Sequence, residues 1–152
     1  MFKLILASKS KVRKEILDNN NVSSQVKPSN VDEDLIKESL LKTGASPEII
    51  SKELAQLKAN KVSQNHYNDL VLGADSVIDL DGELISKPEN RDEALKILKK
   101  LNGKKHYLIS SVCISKNGNM NWNYTDKASL TMKNFTENEL KNYEITTKTL
   151  LF

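Results

Sequence analysis

One cysteine, three prolines, five glycines and 5% aromatic residues are little for a chain of 152 residues, and each shortage removes a class of answer. Cys113 has no partner for a disulfide framework; sitting in an apolar alternating run, it reads as a small buried hydrophobe. His66 and His106 are not spaced to bind a metal with each other or with Cys113, which argues against a zinc site. Their order supports no Ser-His-Asp constellation either. There is no glycine-rich loop, and so neither a Walker loop nor a dinucleotide fingerprint.

Long hydrophobic runs are missing as well. The N-terminal MFKLILASKS is apolar over too few residues for a membrane span or a signal peptide. An intracellular, reducing location without a membrane partner is therefore expected. Charge of one sign is scarce too: 23 basic and 20 acidic side chains leave a net +3. The lysines are scattered among acids, with no long basic block and few aromatics to stack on bases, so no nucleic-acid partner is expected. A modest positive surplus does suit a pocket for phosphates.

What is present is a mixture of short apolar strands and amphipathic helices. Lys3 to Ala7 reads as a strand, and KVRKEILDNN as a helix with Ser10 near its N-cap. Val22 to Lys27 reads as a second strand. Asn30-Val-Asp-Glu33 has the form of a capping box for a helix to about Lys42, ended by Gly44. Ser46-Pro47 starts a longer helix, with Ile50, Leu54, Leu57 and Val62 on its apolar face. Leu70 to Ala74 is a third strand, followed by an Asp81-Gly82 hairpin. Asn90 to Glu93 caps a helix that Asn102-Gly103 ends. His106 to Ser115 alternates as a strand, Asn117-Gly118 turns into a strand near Met120 to Tyr124, and another covers Ala128 to Lys133. Thr136 to Glu139 caps a last helix, after which Leu150-Leu151-Phe152 reads as a strand or a tucked end. The expected fold is α/β: one domain over residues 1–152 with a mixed, twisted sheet and flanking helices.

Several residues invite chemistry, and each has a plainer alternative. In Ser8 to Arg13, a strand feeding a helix aims free N–H groups outward, where they bind anions; capping serines and a solvated arginine would look the same. Glu33 is a capping acid or a site acid. Asp75 stands where the third strand is expected to end, and an acid there needs a partner or a metal. Lys58 borders the apolar face of its helix, snorkelling or buried. Lys87, fixed in extended geometry by Pro88, is an edge lysine or a site base.

Taken in order, LILASKSKVRKEIL, VDE at 31–33, LAQLKANKV, LGADSVIDLDGELISKP, ALKILKKLNGKKHYLISSV and FTENELKNY resemble the Maf family, from residue 2 to about residue 143. The resemblance implies an inosine triphosphate pyrophosphatase-like fold and hydrolysis of a nucleoside triphosphate to the monophosphate and pyrophosphate. It implies a divalent cation, Mg²⁺ or Mn²⁺, and a homodimer as the assembly found in relatives. It makes Asp75 the catalytic carboxylate, the proton acceptor or a metal ligand, with Lys58 and Lys87 as catalytic cationic groups and Glu33 as the further metal acid. Ser8, Ser10 and Arg13 become substrate-binding, and Val12 and Ser76 fall at positions tied to base selection.

Two departures stand out. The opening motif commonly reads SPRR, and here Lys11 and Val12 replace its proline and first arginine. Relatives also continue into a segment with a YGIQG-like motif whose glutamine contacts substrate, and no such motif occurs here. Its lack is expected to uncover apolar surface and weaken binding. A degenerate protein that binds nucleotide without turnover is the alternative.

Overall fold

A computed structural model describes residues 3–146. Its centre is β3, Leu70–Leu80, an 11-residue strand buried over most of its length. β1 (Leu4–Leu6) lies parallel to it, pairing Leu4 with Leu70 and Leu6 with Leu72. β2 (Gln25–Val26) lies parallel to β1 on the far side. β4 (Glu83–Ile85) returns antiparallel through a turn in which Asp81 and Gly82 both have positive φ, as a two-residue hairpin requires. On the other edge of β3 runs β5 (Lys105–Lys116), followed by β6 (Asn119–Thr131). The sheet order is β2-β1-β3-β5-β6, with β4 on β3.

α1 (Lys11–Asn19) connects β1 to β2 and is capped by Ser10, which accepts from Arg13 N–H. α2 (Glu33–Lys42) and α3 (Pro47–Ser63) follow β2. Gly44, at φ +79°, ends α2 with N–H bonds from Gly44 to Leu41 and from Ala45 to Leu40. Ser46 and Pro47 open α3, as the sequence predicts. α3 lies across the sheet and buries Ala55, Ala59 and Val62 against Ile5, Val71 and Cys113. Its Ile50 and Leu54 are fully buried, each worth about 1.5–3 kcal/mol of transfer free energy. α4 (Arg91–Leu101) covers a second cluster around Ile78, Leu80 and Ile85, and α5 (Glu137–Thr146) packs on α4.

The α/β class with its mixed sheet is as the alternating elements predict. Five details differ. β3 does not end at Ala74 but runs six residues further, to Leu80. The second strand is only Gln25–Val26, because it pairs solely with the short β1. Asn30 is not a cap: it adopts φ +53°, and Asp32 caps α2 by accepting from Leu35 N–H. Leu57 is exposed, while Ala55 and Ala59 take the inward face of α3. The two strands expected between Met120 and Lys133 are one, β6, because an edge strand accommodates the polar Thr125-Asp126-Lys127 in an unbroken ladder. Leu150 to Phe152 lie outside the described residues.

Candidate active site

The site is a gap in the sheet. β1 pairs with β3 only as far as Leu72, and β4 only from Ile78. Both use the same edge, since β5 occupies the other from Val71 to Asp79. Among the described residues, 73–77 of that edge therefore face no strand, and a cavity of about 560 Å³ opens there, lined by Ser8, Arg13, Glu33, Lys58, Asp75, Ser76 and Lys87 among others. The volume is ample for a nucleotide-sized ligand.

Gly73 explains how a helix supplies a lysine to this gap. A Cβ built on Gly73 would lie 2.3 Å from the Ala55 carbonyl oxygen and 2.7 Å from Ala59 N. Only glycine lets the α3 backbone come this close to β3. Ser51, Ala55 and Ala59, at four-residue spacing, form the matching small face of the helix, and Ser51 Oγ donates to the Asp75 carbonyl at 3.2 Å. Lys58 thus enters the cavity floor 5% exposed, with Asp75 equally buried at 5%.

Lys58 Nζ donates to Asp75 Oδ1 at 3.1 Å and to the Ala74 carbonyl at 3.3 Å, and lies 2.7 Å from Glu33 Oε1. One ammonium is therefore shared by two carboxylates. Burial pushes the Asp75 carboxyl above the usual range, against the opposing pull of Lys58. Its second oxygen, Oδ2, is buried without a hydrogen-bond partner among the described residues, and a buried polar atom of this kind is open to a water, an ion or a ligand.

The rim is cationic and polar. Ser8 Oγ accepts from Arg13 Nη1 at 3.0 Å and from Ser10 N–H at 3.2 Å, which folds the β1–α1 loop around the cavity mouth. Burial lowers the pKa of Arg13, while Asp75 and Glu33 pull it back up. Lys87 is exposed and lines the cavity from the segment after β4. Ser76 Oγ lies 3.0 Å from Ser110 Oγ. Val12, 60% exposed on α1, is not among the lining residues.

These residues fit a divalent cation of the magnesium kind. Asp75 Oδ2 is free and Glu33 is beside it, both hard oxygen donors. No group of three or more His, Cys, Asp or Glu suited to a metal exists among the described residues. Mg²⁺ is commonly held by one or two carboxylates together with substrate phosphates, rather than by an all-protein cage.

Comparison with known proteins then decides the family. The model of the family described as Maf-like protein matches residues 3–150. The chain belongs to the Maf-like family. It is 68% identical over 140 residues to a nucleoside triphosphate pyrophosphatase of Pelagibacter ubique (strain HTCC1062), covering 92% of this chain and 72% of that protein. It is 34% identical over 131 residues to a 7-methyl-GTP pyrophosphatase of Brucella abortus biovar 1 (strain 9-941), covering 86% and 66%. A HAM1 protein from Coxiella burnetii matches with a TM-score of 0.47 at 14% identity over 85% of this chain and 71% of that one, a likeness too distant to bear on fold or function.

Of the nine residues singled out in the sequence of this Maf-like chain, eight line one cavity and Val12 stands beside it. Gly73 and Ser51, which seat α3 on β3, were not singled out, although a small-residue repeat facing Gly-Ala-Asp was there to be seen. Lys37, a further lining cation, was also passed over, because a lysine four residues after a glutamate looks like ordinary helix pairing.

Proposed function

We propose that this chain hydrolyses a nucleoside triphosphate to the monophosphate and pyrophosphate, as one Maf-like domain over residues 1–152. The observation that carries the reading is Asp75, a residue lining a cavity ringed by cations, whose buried Oδ2 has no partner among the described residues. Family membership and the names of the relatives favour turnover over binding alone.

Each residue has a task in this reaction. Lys58 fixes Asp75 through Oδ1, so that Oδ2 is the oxygen left to accept a proton from the attacking water. Burial strengthens that oxygen as a base. As the water oxygen bonds to phosphorus, the anhydride bond to the departing pyrophosphate breaks. Arg13, Lys87 and the N-terminus of α1 offset the charge on the phosphate oxygens. Ser8 holds the Arg13 guanidinium at the cavity mouth, and Ser10 holds the helix end. As the alternative to taking the proton, Asp75 Oδ2 would hold Mg²⁺ or Mn²⁺ together with Glu33, and the ion when bound supplies Lewis-acid polarisation of the phosphoryl group. On the family resemblance Ser76 and Val12 are assigned to base selection, Ser76 from the cavity lining and Val12 from outside it. The enzyme is assigned to the cytoplasm and to a homodimer on the family resemblance alone.

The test is pyrophosphate release by the purified protein with Mg²⁺ against a panel of ordinary and modified nucleoside triphosphates, including 7-methyl-GTP. The reading expects monophosphate and pyrophosphate in equal amounts from at least one of them. Thermal stabilisation by nucleotides with no product would instead assign the protein to binding alone.

A further inference from the structure

Lys37 sits one turn into α2, four residues after Glu33, and lines the cavity. The ordinary explanation is a helix-surface ion pair, and its geometry does not suit one. Lys37 Nζ is 3.9 Å from Glu33 Oε2, too long for a good hydrogen bond, while Oε1 of the same carboxylate is held by Lys58 at 2.7 Å. Glu33 thus has its strong partner without Lys37. The other lysines in i,i+4 pairs, Lys14, Lys42, Lys52 and Lys141, have side chains 31%, 73%, 48% and 49% exposed, against 15% for Lys37. A lysine this withdrawn and this loosely paired is held inward by its place in the wall of the cavity.

The charge around it supplies the reason. Of the lining residues, the segment leading into α2 and its first turn contribute Asp32, Glu33 and Asp34, three acids facing a space meant for a polyanion. Lys9 comes from the β1–α1 loop, Arg13 from the first turn of α1, Lys58 from α3 and Lys87 from beyond β4; Lys37 is the one lining cation that α2 provides. Its charge is also felt at Asp75. Lys58, already shared between two carboxylates, has least to offer a phosphate.

We propose that Lys37 is a substrate-binding residue that contacts the phosphate chain from the α2 wall and offsets its acids. The proposal rests on the nucleotide reading above. A phosphate oxygen replaces the long Glu33 contact, so Lys37 acts on phosphate directly rather than through Glu33.

Inorganic tripolyphosphate, with titration calorimetry as the readout, isolates this role from turnover and from the base. Lys37→Gln is expected to bind tripolyphosphate about tenfold more weakly, the scale of one charge-assisted contact. Lys37→Arg is expected to stay within about twofold of the wild type, and the Tm of both variants to be unchanged. The Lys37→Gln loss should persist in a Glu33→Gln background. On a nucleotide substrate KM rises by the same factor with kcat nearly constant. Unchanged tripolyphosphate binding by Lys37→Gln overturns the proposal, as does a loss that vanishes in the Glu33→Gln background. If the wild type turns over nucleotides and Lys37→Gln still binds normally, Lys37 alone is wrongly placed. If tripolyphosphate binds as described but no nucleotide is hydrolysed, the catalytic reading fails and the Lys37 assignment stands.

Discussion

At the centre of the sheet, β3 lies under α3 beside a gap between two short strands; at one edge, β6 runs for 13 residues with none of them buried. The centre holds a lysine and an aspartate at 5% exposure. The edge exposes Trp122 and Tyr124, stacked with ring centroids 6.3 Å apart. Charge has been taken inside and apolar surface left outside, the reverse of what stability alone would choose. The contrast teaches that the covered centre is organised around a reaction and the open edge around none that its residues reveal. A helix seated tightly by Gly73 creates the low-dielectric pocket in which a carboxylate becomes a stronger base and a lysine can hold it still.

If that contrast is right, substitutions in the two regions differ sharply in cost. The largest loss of stability is expected from Lys58→Met, which strands Asp75 and Glu33 without their shared cation. Removing one partner of a buried pair costs about 3–5 kcal/mol, and for a protein of this size each 1 kcal/mol moves Tm by about 2–4 °C. Calorimetry at several pH values sharpens the test. Asp75 already has a raised pKa, so the folded state binds its proton more tightly than the unfolded chain does. The Lys58→Met deficit should therefore shrink as pH falls and Asp75 is neutralised, and deepen as pH rises. A deficit independent of pH would contradict the pairing.

Gly73→Ala comes next. The added Cβ meets α3 backbone atoms, which cannot rotate away, and overpacking of this kind costs about 1–3 kcal/mol. Because it pushes α3 off β3, it should also lower turnover by more than its stability loss explains. Gly82→Ala at the hairpin, where a Cβ meets nothing within 4 Å, serves as the control for activity. Trp122→Ser on β6 has the smallest effect, about 0.5 kcal/mol as for other surface substitutions, with turnover within about twofold. A large loss of turnover from Trp122→Ser would break the comparison.

The sequence was informative where a local rule had one reading. Ser46-Pro47, Asp81-Gly82 and Asn90 to Glu93 each specify a cap or turn by short-range chemistry, and the structure has all three. It was misleading where tertiary need overrode the rule. Gly73-Ala74-Asp75 reads as the end of a strand because glycine and aspartate are poor strand formers. β3 continues through it because Gly73 admits α3 and Asp75 meets Lys58, 17 residues away in sequence. Asn30 to Glu33 reads as a capping box, yet the Glu33 carboxylate is engaged by Lys58 and Asp32 does the capping. The burial of Lys58 was only half visible: its place beside the apolar stripe showed, but its partners lie on other elements. Lys37 shows the same limit, since spacing displays its helix neighbour and not the cavity wall.

The most direct test is Asp75→Asn, with turnover and thermal stability measured on the same preparation. The substitution removes a carboxylate that burial disfavours and leaves the 2.7 Å Lys58–Glu33 pair in place. Pyrophosphate release should fall by about 10³-fold, the scale of a lost proton acceptor, while Tm holds or rises. Turnover within tenfold of the wild type, or a fall in Tm large enough to explain the loss by unfolding, would contradict the account.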